Sequence, residues 1–185
     1  MESLVKMTGL EEVKLKLLEI HAAIDLDRVR MGEPDGMIKK RLHAIFCGNP
    51  GTGKTTVARL YGKFLFEMKA IKGHGFEETT GAKLVADGVP ALRVCVDKLM
   101  GAGGGTLFID EAYMLFKDTG VNDFGPETVA ALITEMSDGD GDIAIMVAGY
   151  PKEMDGFLNS NPGLRSRFRN YYHFEDYIPD ELVSI

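Results

Sequence analysis

The segment GNPGTGKT, residues 48–55, is the most informative stretch of this 185-residue sequence. It matches the pattern G-x-x-x-x-G-K-[ST] at every fixed position. An apolar run, Leu42 to Cys47, precedes it, and apolar residues at helical spacing follow it from Val57 to Met68. In such a loop, glycines let backbone N–H groups converge on phosphate oxygens, and the next helix points its positive amino end at the same charge. The segment therefore predicts a phosphate-binding site between a strand and a helix.

The loop and the residue after it form the predicted nucleotide-binding set: Gly48, Asn49, Pro50, Gly51, Thr52, Gly53, Lys54, Thr55 and Thr56. We expect the Lys54 ammonium to reach the β- and γ-phosphates and the Thr55 hydroxyl to coordinate Mg²⁺. A purely structural glycine turn is the alternative, but the strand before the loop and the helix after it favour phosphate binding. A second glycine-rich segment, residues 101–105, has no following lysine and leads into a strand, so it predicts a turn.

Helical and strand patterns alternate along the chain, which is typical of a parallel sheet with helices packed on it. The predicted strands are Leu42–Cys47, Phe76–Thr79, Thr106–Ile109, Ile143–Ala148 and Tyr171–Phe174. Most of these runs are almost continuously apolar, as a sheet covered on both faces requires. The sequence therefore predicts a single α/β domain with a five-stranded parallel sheet flanked by helices.

Two carboxylates, Asp110 and Glu111, follow the third predicted strand. The carboxyl ends of parallel strands meet at the ligand-binding edge of such a sheet, so both should lie beside the phosphate loop. Asp110 would then hold Mg²⁺ opposite Thr55, and Glu111 would orient and deprotonate a water molecule in line with the γ-phosphate. Two solvated carboxylates at a strand end are the alternative. The second carboxylate favours hydrolysis over nucleotide sensing.

Closely spaced cations follow a predicted turn at Asn161-Pro162-Gly163. Arg165 and Arg167 lie in this stretch, and phosphate chemistry uses an inserted arginine to offset transition-state charge. A solvated basic segment is the alternative. An arginine on a loop this far along the chain is suited to serving a neighbouring copy.

Composition excludes several classes of protein. The 21 Lys and Arg against 28 Asp and Glu give a formal charge of −7, which argues against non-specific nucleic-acid binding. The longest apolar run, residues 143–148, is far shorter than the ~20 residues of a membrane span, and residues 1–4 show no signal-peptide pattern. Two cysteines and four scattered histidines make neither a disulfide framework nor a metal-ligand pattern. We expect a cytoplasmic or otherwise soluble, reducing location, without secretion, nucleic acid or membrane.

Together, several motifs resemble the AAA+ ATPases, within the group that holds red-type Rubisco activase and stage V sporulation protein K. They are residues 48–55, Phe108 to Tyr113, Asp123-Phe124-Gly125, Ala148-Gly149-Tyr150 and Asn161 to Phe168. The resemblance runs from about Met7 to Leu182. It implies a five-stranded core, ATP and Mg²⁺, assembly into rings that are commonly hexamers, and remodelling of a protein client.

The resemblance also implies roles for single residues. Lys54, Thr55, Asp110 and Glu111 keep the roles given above. Arg167 matches the arginine finger that acts on a neighbour's nucleotide best, with Arg165 second. Gly9 and Leu10 resemble the segment that lines the adenine pocket.

The chain departs from the family at three places. The fourth strand ends in Ala148-Gly149-Tyr150, where many members have a polar sensor residue. An ungapped count puts Gly88 where relatives have the pore aromatic, which argues against threading of a client. Relatives begin their C-terminal helical lid near residues 179–182, so the lid is expected to be absent. Residues 1–185 are then expected to be the large subdomain of a longer protein.

Two functions remain open from the sequence. The first is an ATPase module that works in a ring and remodels a protein client, favoured by Glu111 and Arg167. The second is a non-threading, nucleotide-dependent scaffold or regulatory subunit, favoured by Gly88. A small-molecule kinase is a third reading, against which Glu111 and the arginine segment argue.

Overall fold

A five-stranded parallel sheet forms the centre of the computed structural model, which describes residues 14–16, 18–23, 26, 42–116, 124–138 and 142–176. The strands are β1 (Ala44–Gly48), β2 (Gly75–Thr80), β3 (Gly105–Asp110), β4 (Ile143–Gly149) and β5 (Asn170–Phe174). Their spatial order is β2-β3-β4-β1-β5, and each neighbouring pair is parallel. The predicted fold class is confirmed.

Helices cover both faces of the sheet. They are α1 (Lys54–Glu67), α2 (Gly81–Gly101), α3 (Gly125–Asp138), α4 (Pro151–Ser160) and α5 (Pro162–Arg167), with a 3₁₀ turn at Ala112–Leu115. Successive strand residues point to opposite faces, so Phe46 packs with α1 on one side while Ile45 packs with α2 and α3 on the other. This two-sided burial explains why the strands read as apolar runs.

The strand order determines where a ligand site forms. β1 lies between β4 and β5, and its connection through α1 leads to β2 at the far edge of the sheet. The segments that follow β1, β3 and β4 therefore leave the same edge close together. A crevice at this edge is the general ligand position in open α/β sheets.

Helix α2 is longer than the sequence predicted, because only the part near residues 92–99 showed a clear helical pattern. It begins after Thr80, whose Oγ1 accepts a hydrogen bond from the Lys83 N–H at 3.2 Å. Its backbone is broken at Gly88, which has φ 66° and ψ −158°. Pro90 stands just after the break, in a first turn where its missing N–H costs no helical hydrogen bond.

A side chain at Gly88 is disfavoured for two reasons. The Gly88 backbone lies in a region that only glycine adopts readily, and an added Cβ would lie 3.1 Å from Cγ of Phe124. We expect Gly88→Ala to lower the free energy of unfolding by about 1–3 kcal/mol, as measured by urea denaturation.

Gly101 at the end of the same helix is the matched control. An added Cβ there meets no heavy atom within 4 Å. Gly101→Ala should therefore change the stability by less than about 1 kcal/mol, in the stabilising direction. Equal destabilisation by both substitutions would contradict the role given to the break.

Helix α5 replaces the loop that the sequence analysis expected around the arginines. Asn161 caps it, since its Oδ1 accepts a hydrogen bond from the Gly163 N–H at 2.8 Å. Arg165 and Arg167 thus lie on a short helix, and the expectation of a loop was wrong.

No helix among the described residues is long and apolar enough to cross a membrane.

Candidate nucleotide site

The loop between β1 and α1 has the backbone that its glycines predict. Gly51 and Gly53 have φ of 77° and 87°, in the left-handed region that favours glycine. Gly48 lies against β5, where an added Cβ would be 2.6 Å from the backbone oxygen of Phe174. The Thr52 hydroxyl donates to the Asn49 carbonyl at 2.8 Å and helps to fix the loop.

The Lys54 side chain folds back over this loop. Its ammonium donates to the carbonyl oxygens of Gly48 at 2.9 Å and Asn49 at 2.7 Å. Burial lowers the pKa of Lys54, and the nearby Asp110 carboxylate opposes that shift. The ammonium therefore lies between the loop and the end of β3, where it can meet phosphate oxygens.

The acidic pair lies at the end of β3, as predicted. Asp110 is the last residue of the strand, and one of its carboxylate oxygens accepts a hydrogen bond from the Glu111 N–H at 2.9 Å. Glu111 has φ 49° and ψ 41°, a left-handed conformation that is uncommon for residues other than glycine. This turn brings Glu111 out of the strand direction and into the pocket beside the loop.

The loop and the acidic pair line one pocket of about 100 Å³. Its lining comes from the end of β1 and the loop after it, the start of α1, the end of β3 with the 3₁₀ turn that follows, and the end of β4: Gly48, Pro50, Lys54, Asp110, Glu111, Tyr113, Gly149 and Tyr150. Cationic, acidic and loop residues that are far apart in sequence thus converge at the carboxyl edge of the sheet. This arrangement suits binding of a phosphate chain next to a carboxylate.

The donors near this pocket fit Mg²⁺ better than a transition metal. Thr55 follows Lys54 at the start of α1 and offers a hydroxyl, and Asp110 offers a carboxylate. Mg²⁺ takes oxygen ligands and usually completes its shell with water and substrate phosphates. Among the described residues there is no group of three or more His, Cys, Asp or Glu that could hold a metal ion.

Cys47, next to the loop, is a packing residue. It is fully buried, and its Sγ donates to the Tyr171 hydroxyl oxygen at 2.9 Å. Burial raises the pKa of the Cys47 thiol to about 11, so the reactive thiolate is suppressed at neutral pH.

Arg165 and Arg167 do not join this pocket. Arg167 is half-buried, and its guanidinium donates to Ser137 Oγ at 2.6 Å and to the Gly163 carbonyl at 3.1 Å. Burial and the Arg167 charge lower the pKa of His43, which lies just before β1, to about 4. The next residue, Phe168, packs against His43 with ring centres 6.3 Å apart, and Asn170 pairs with Ala44 at the start of β1. Arg167 thus lies near the amino end of β1, whereas the loop follows its carboxyl end. Arg165 is exposed on the same helix.

Gly9 and Leu10, which were predicted to line the adenine pocket, lie outside the described residues.

Two residues near the site were not predicted from the sequence. One is Asp176, whose carboxylate oxygens accept hydrogen bonds from the Asn49 amide at 2.9 and 3.0 Å. The other is Tyr113, which lines the pocket beside Glu111. Its position two residues after Glu111 is the sequence feature that could have indicated a place near the site.

Comparisons with known proteins agree with this geometry. Residues 44–176 match the model of the ATPase family associated with various cellular activities. The chain is 42% identical to stage V sporulation protein K of Bacillus subtilis, over 97% of this chain and 56% of that protein. It is 38% identical to the chloroplastic ribulose bisphosphate carboxylase/oxygenase activase of Cyanidioschyzon merolae, over 97% of this chain and 62% of that protein. The chain thus spans less than two thirds of these relatives.

A solved structure shares the fold at low sequence identity. The AAA domain of FIGL-1, in complex with ADP, superposes with a TM-score of 0.65 at 20% identity, covering 97% of this chain and 57% of that one.

Proposed function

Because this chain belongs to the AAA family of ATPases, we propose that it binds ATP with Mg²⁺ at the pocket and hydrolyses it. The observation that carries the proposal is the convergence of Lys54, Asp110 and Glu111 on one pocket at the ends of β1 and β3. Nucleotide binding alone needs only the loop, whereas a second carboxylate beside the metal ligand suits hydrolysis.

The proposed reaction assigns one task to each side chain. The loop N–H groups and the Lys54 ammonium bind the phosphate oxygens, and Thr55 and Asp110 hold Mg²⁺. When bound, Mg²⁺ neutralises charge on the β- and γ-phosphates. Glu111 accepts a proton from water as the water oxygen bonds to the γ-phosphorus. The bond from that phosphorus to the bridging oxygen breaks, which leaves ADP and inorganic phosphate.

Completion of the site by a second copy is supported by the position of Arg167. The five residues of β1 span about 16 Å, at about 3.3 Å per residue, and separate the end where Arg167 lies from the loop. Hydrogen bonds to Ser137 and Gly163 keep its guanidinium at that end. We therefore assign Arg167, or Arg165 on the same helix, to the nucleotide of a neighbouring subunit in a ring, for which we propose a hexamer.

Lys54→Ala tests nucleotide binding. The substitution removes a cation that lines the pocket and donates hydrogen bonds to two loop carbonyls, so we expect the dissociation constant for ATP to rise by about 10- to 100-fold. Titration of the purified chain with a fluorescent ATP analogue measures it.

Lys63→Ala is the matched control, because Lys63 is an exposed lysine on the same helix, 4.0 Å from Glu67. It should leave ATP affinity unchanged. If Lys54→Ala binds ATP as tightly as the unchanged chain, the assignment of the loop as the phosphate-binding site is wrong.

For the biological role, we propose that ATP cycling in the ring remodels a protein client. A non-threading scaffold or regulatory subunit is the second candidate, and the conformation of Gly88 favours it. Gly88 has no side chain that could grip a client, and its backbone conformation and the nearby Phe124 disfavour a larger residue there. ATP binding without turnover above that of Glu111→Gln would favour the scaffold.

A further inference from the structure

The Glu111 carboxylate receives a hydrogen bond from a neighbouring tyrosine. The Tyr113 hydroxyl donates to Glu111 Oε1 at 3.1 Å. The Tyr113 residue is only 6% exposed, yet it lines the pocket together with Glu111. A rigid, nearly buried ring thus contacts the one side chain that the proposed reaction uses as a base.

The Glu111 backbone is held by its surroundings. An added Cβ at Gly81 would lie 2.3 Å from the Glu111 carbonyl oxygen, and that oxygen accepts a hydrogen bond from the Met114 N–H at 2.9 Å. These contacts fix the left-handed turn but do not fix the glutamate side chain, which has three rotatable bonds. The tyrosine hydroxyl supplies a restraint at the carboxylate itself.

The end of β4 provides the space for the Tyr113 ring. An added Cβ at Gly149 would lie 2.7 Å from Tyr113 Cδ1 and 2.8 Å from Met154 Sδ. The Tyr150 ring packs beside it, with ring centres 5.8 Å apart. The Gly149-Tyr150 sequence, where many family members have a polar sensor residue, is therefore explained by packing around Tyr113.

The Tyr113 hydroxyl is a hydrogen-bond donor at neutral pH. Burial and the hydrogen bond to Glu111 raise the pKa of Tyr113 to about 12. Its hydroxyl is therefore protonated at neutral pH, and the carboxylate is its acceptor.

We propose that Tyr113 is a positioning residue: its hydroxyl anchors one carboxylate oxygen of Glu111 so that the other faces the water that attacks the γ-phosphate. This inference rests on the proposed ATPase function. It assigns to Tyr113, and to Gly149 and Tyr150, which pack around its ring, a role in positioning the Glu111 carboxylate.

The kinetic test uses Tyr113→Phe, which keeps the ring and removes the hydroxyl. We expect kcat to fall about 10- to 100-fold, the range for loss of one hydrogen bond to a charged group, with KM and ATP affinity unchanged. Adding Tyr113→Phe to Glu111→Gln should cause no further loss, because the hydroxyl acts through the carboxylate. Tyr61→Phe is the matched control, since it removes a buried tyrosine hydroxyl on the opposite face of the sheet.

A second readout needs neither nucleotide nor activity. The chain has six tyrosines, and labelling them with 3-fluorotyrosine gives fluorine NMR signals of which one disappears in Tyr113→Phe. In the nucleotide-free protein, Glu111→Gln should shift that signal and leave the signal assigned by Tyr61→Phe in place. An unshifted Tyr113 signal would overturn the proposed contact.

The outcomes separate this inference from the proposed function. If the unchanged chain turns over ATP faster than Glu111→Gln and Tyr113→Phe matches the unchanged chain, the positioning role is wrong and the ATPase assignment stands. If the unchanged chain does not exceed Glu111→Gln, the ATPase assignment fails and the positioning role fails with it.

Discussion

Glu111→Gln is expected to bind ATP as tightly as the unchanged chain and to hydrolyse it about 10²- to 10⁴-fold more slowly. An amide keeps the size of the side chain but cannot accept the proton of the attacking water, and a positioned general base contributes rate enhancement of that order. Binding should be retained, because the proposed phosphate contacts come from the loop and Lys54 rather than from Glu111. Steady-state phosphate release, together with titration of ATP, measures the two effects separately.

Glu127→Gln is a suitable control, because Glu127 is an exposed glutamate in the first turn of α3. It removes the same charge outside the pocket and should leave turnover unchanged. Native turnover in Glu111→Gln would mean that another group accepts the proton, and the assignment of the base would be wrong.

Arg167→Ala is expected to lower turnover of the assembled protein by about 10³- to 10⁵-fold, the range for an arginine that stabilises the transition state of phosphoryl transfer. ATP affinity of the single chain should change little, because the guanidinium lies near the start of β1 rather than beside the loop. Mixing Arg167→Ala with Lys54→Ala chains tests this sharply. Mixed rings join an intact loop to an intact arginine and should regain turnover that neither variant has alone.

Arg165→Ala and Arg169→Ala are the comparisons for this result, since both remove one positive charge from exposed positions beside Arg167. Arg169→Ala should retain native turnover. If Arg165→Ala loses turnover and Arg167→Ala does not, the role belongs to Arg165. If neither loses it, no arginine of α5 completes a neighbour's site.

The sheet and the phosphate loop could be predicted because their signals are local. A strand buried on both faces requires a continuous apolar run, as in β4, and the loop requires glycines at positions such as Gly51, where φ is positive. The position of Asp110 also followed from sequence, since a residue that ends a parallel strand must lie at the carboxyl edge of the sheet.

Other features depend on contacts between distant residues. The break at Gly88 is coupled to Phe124, which is 36 positions further along the chain, and nothing in the local pattern shows that contact. The packing of the Tyr113 ring depends on Gly149, which lies next to it because β3 pairs with β4. The helix that carries Arg167 is six residues long, too short to show helical periodicity, and the Asn161 cap also reads as a turn signal.

The most direct test of the account is steady-state ATP turnover per chain over a range of protein concentrations, with Glu111→Gln at each concentration as the blank. Turnover per chain should rise with concentration and then reach a plateau, because an arginine of one copy is proposed to complete the site of the next. A rate above the blank that stays constant per chain, from dilute to concentrated protein, would contradict it, since a single copy would then hold the whole catalytic site.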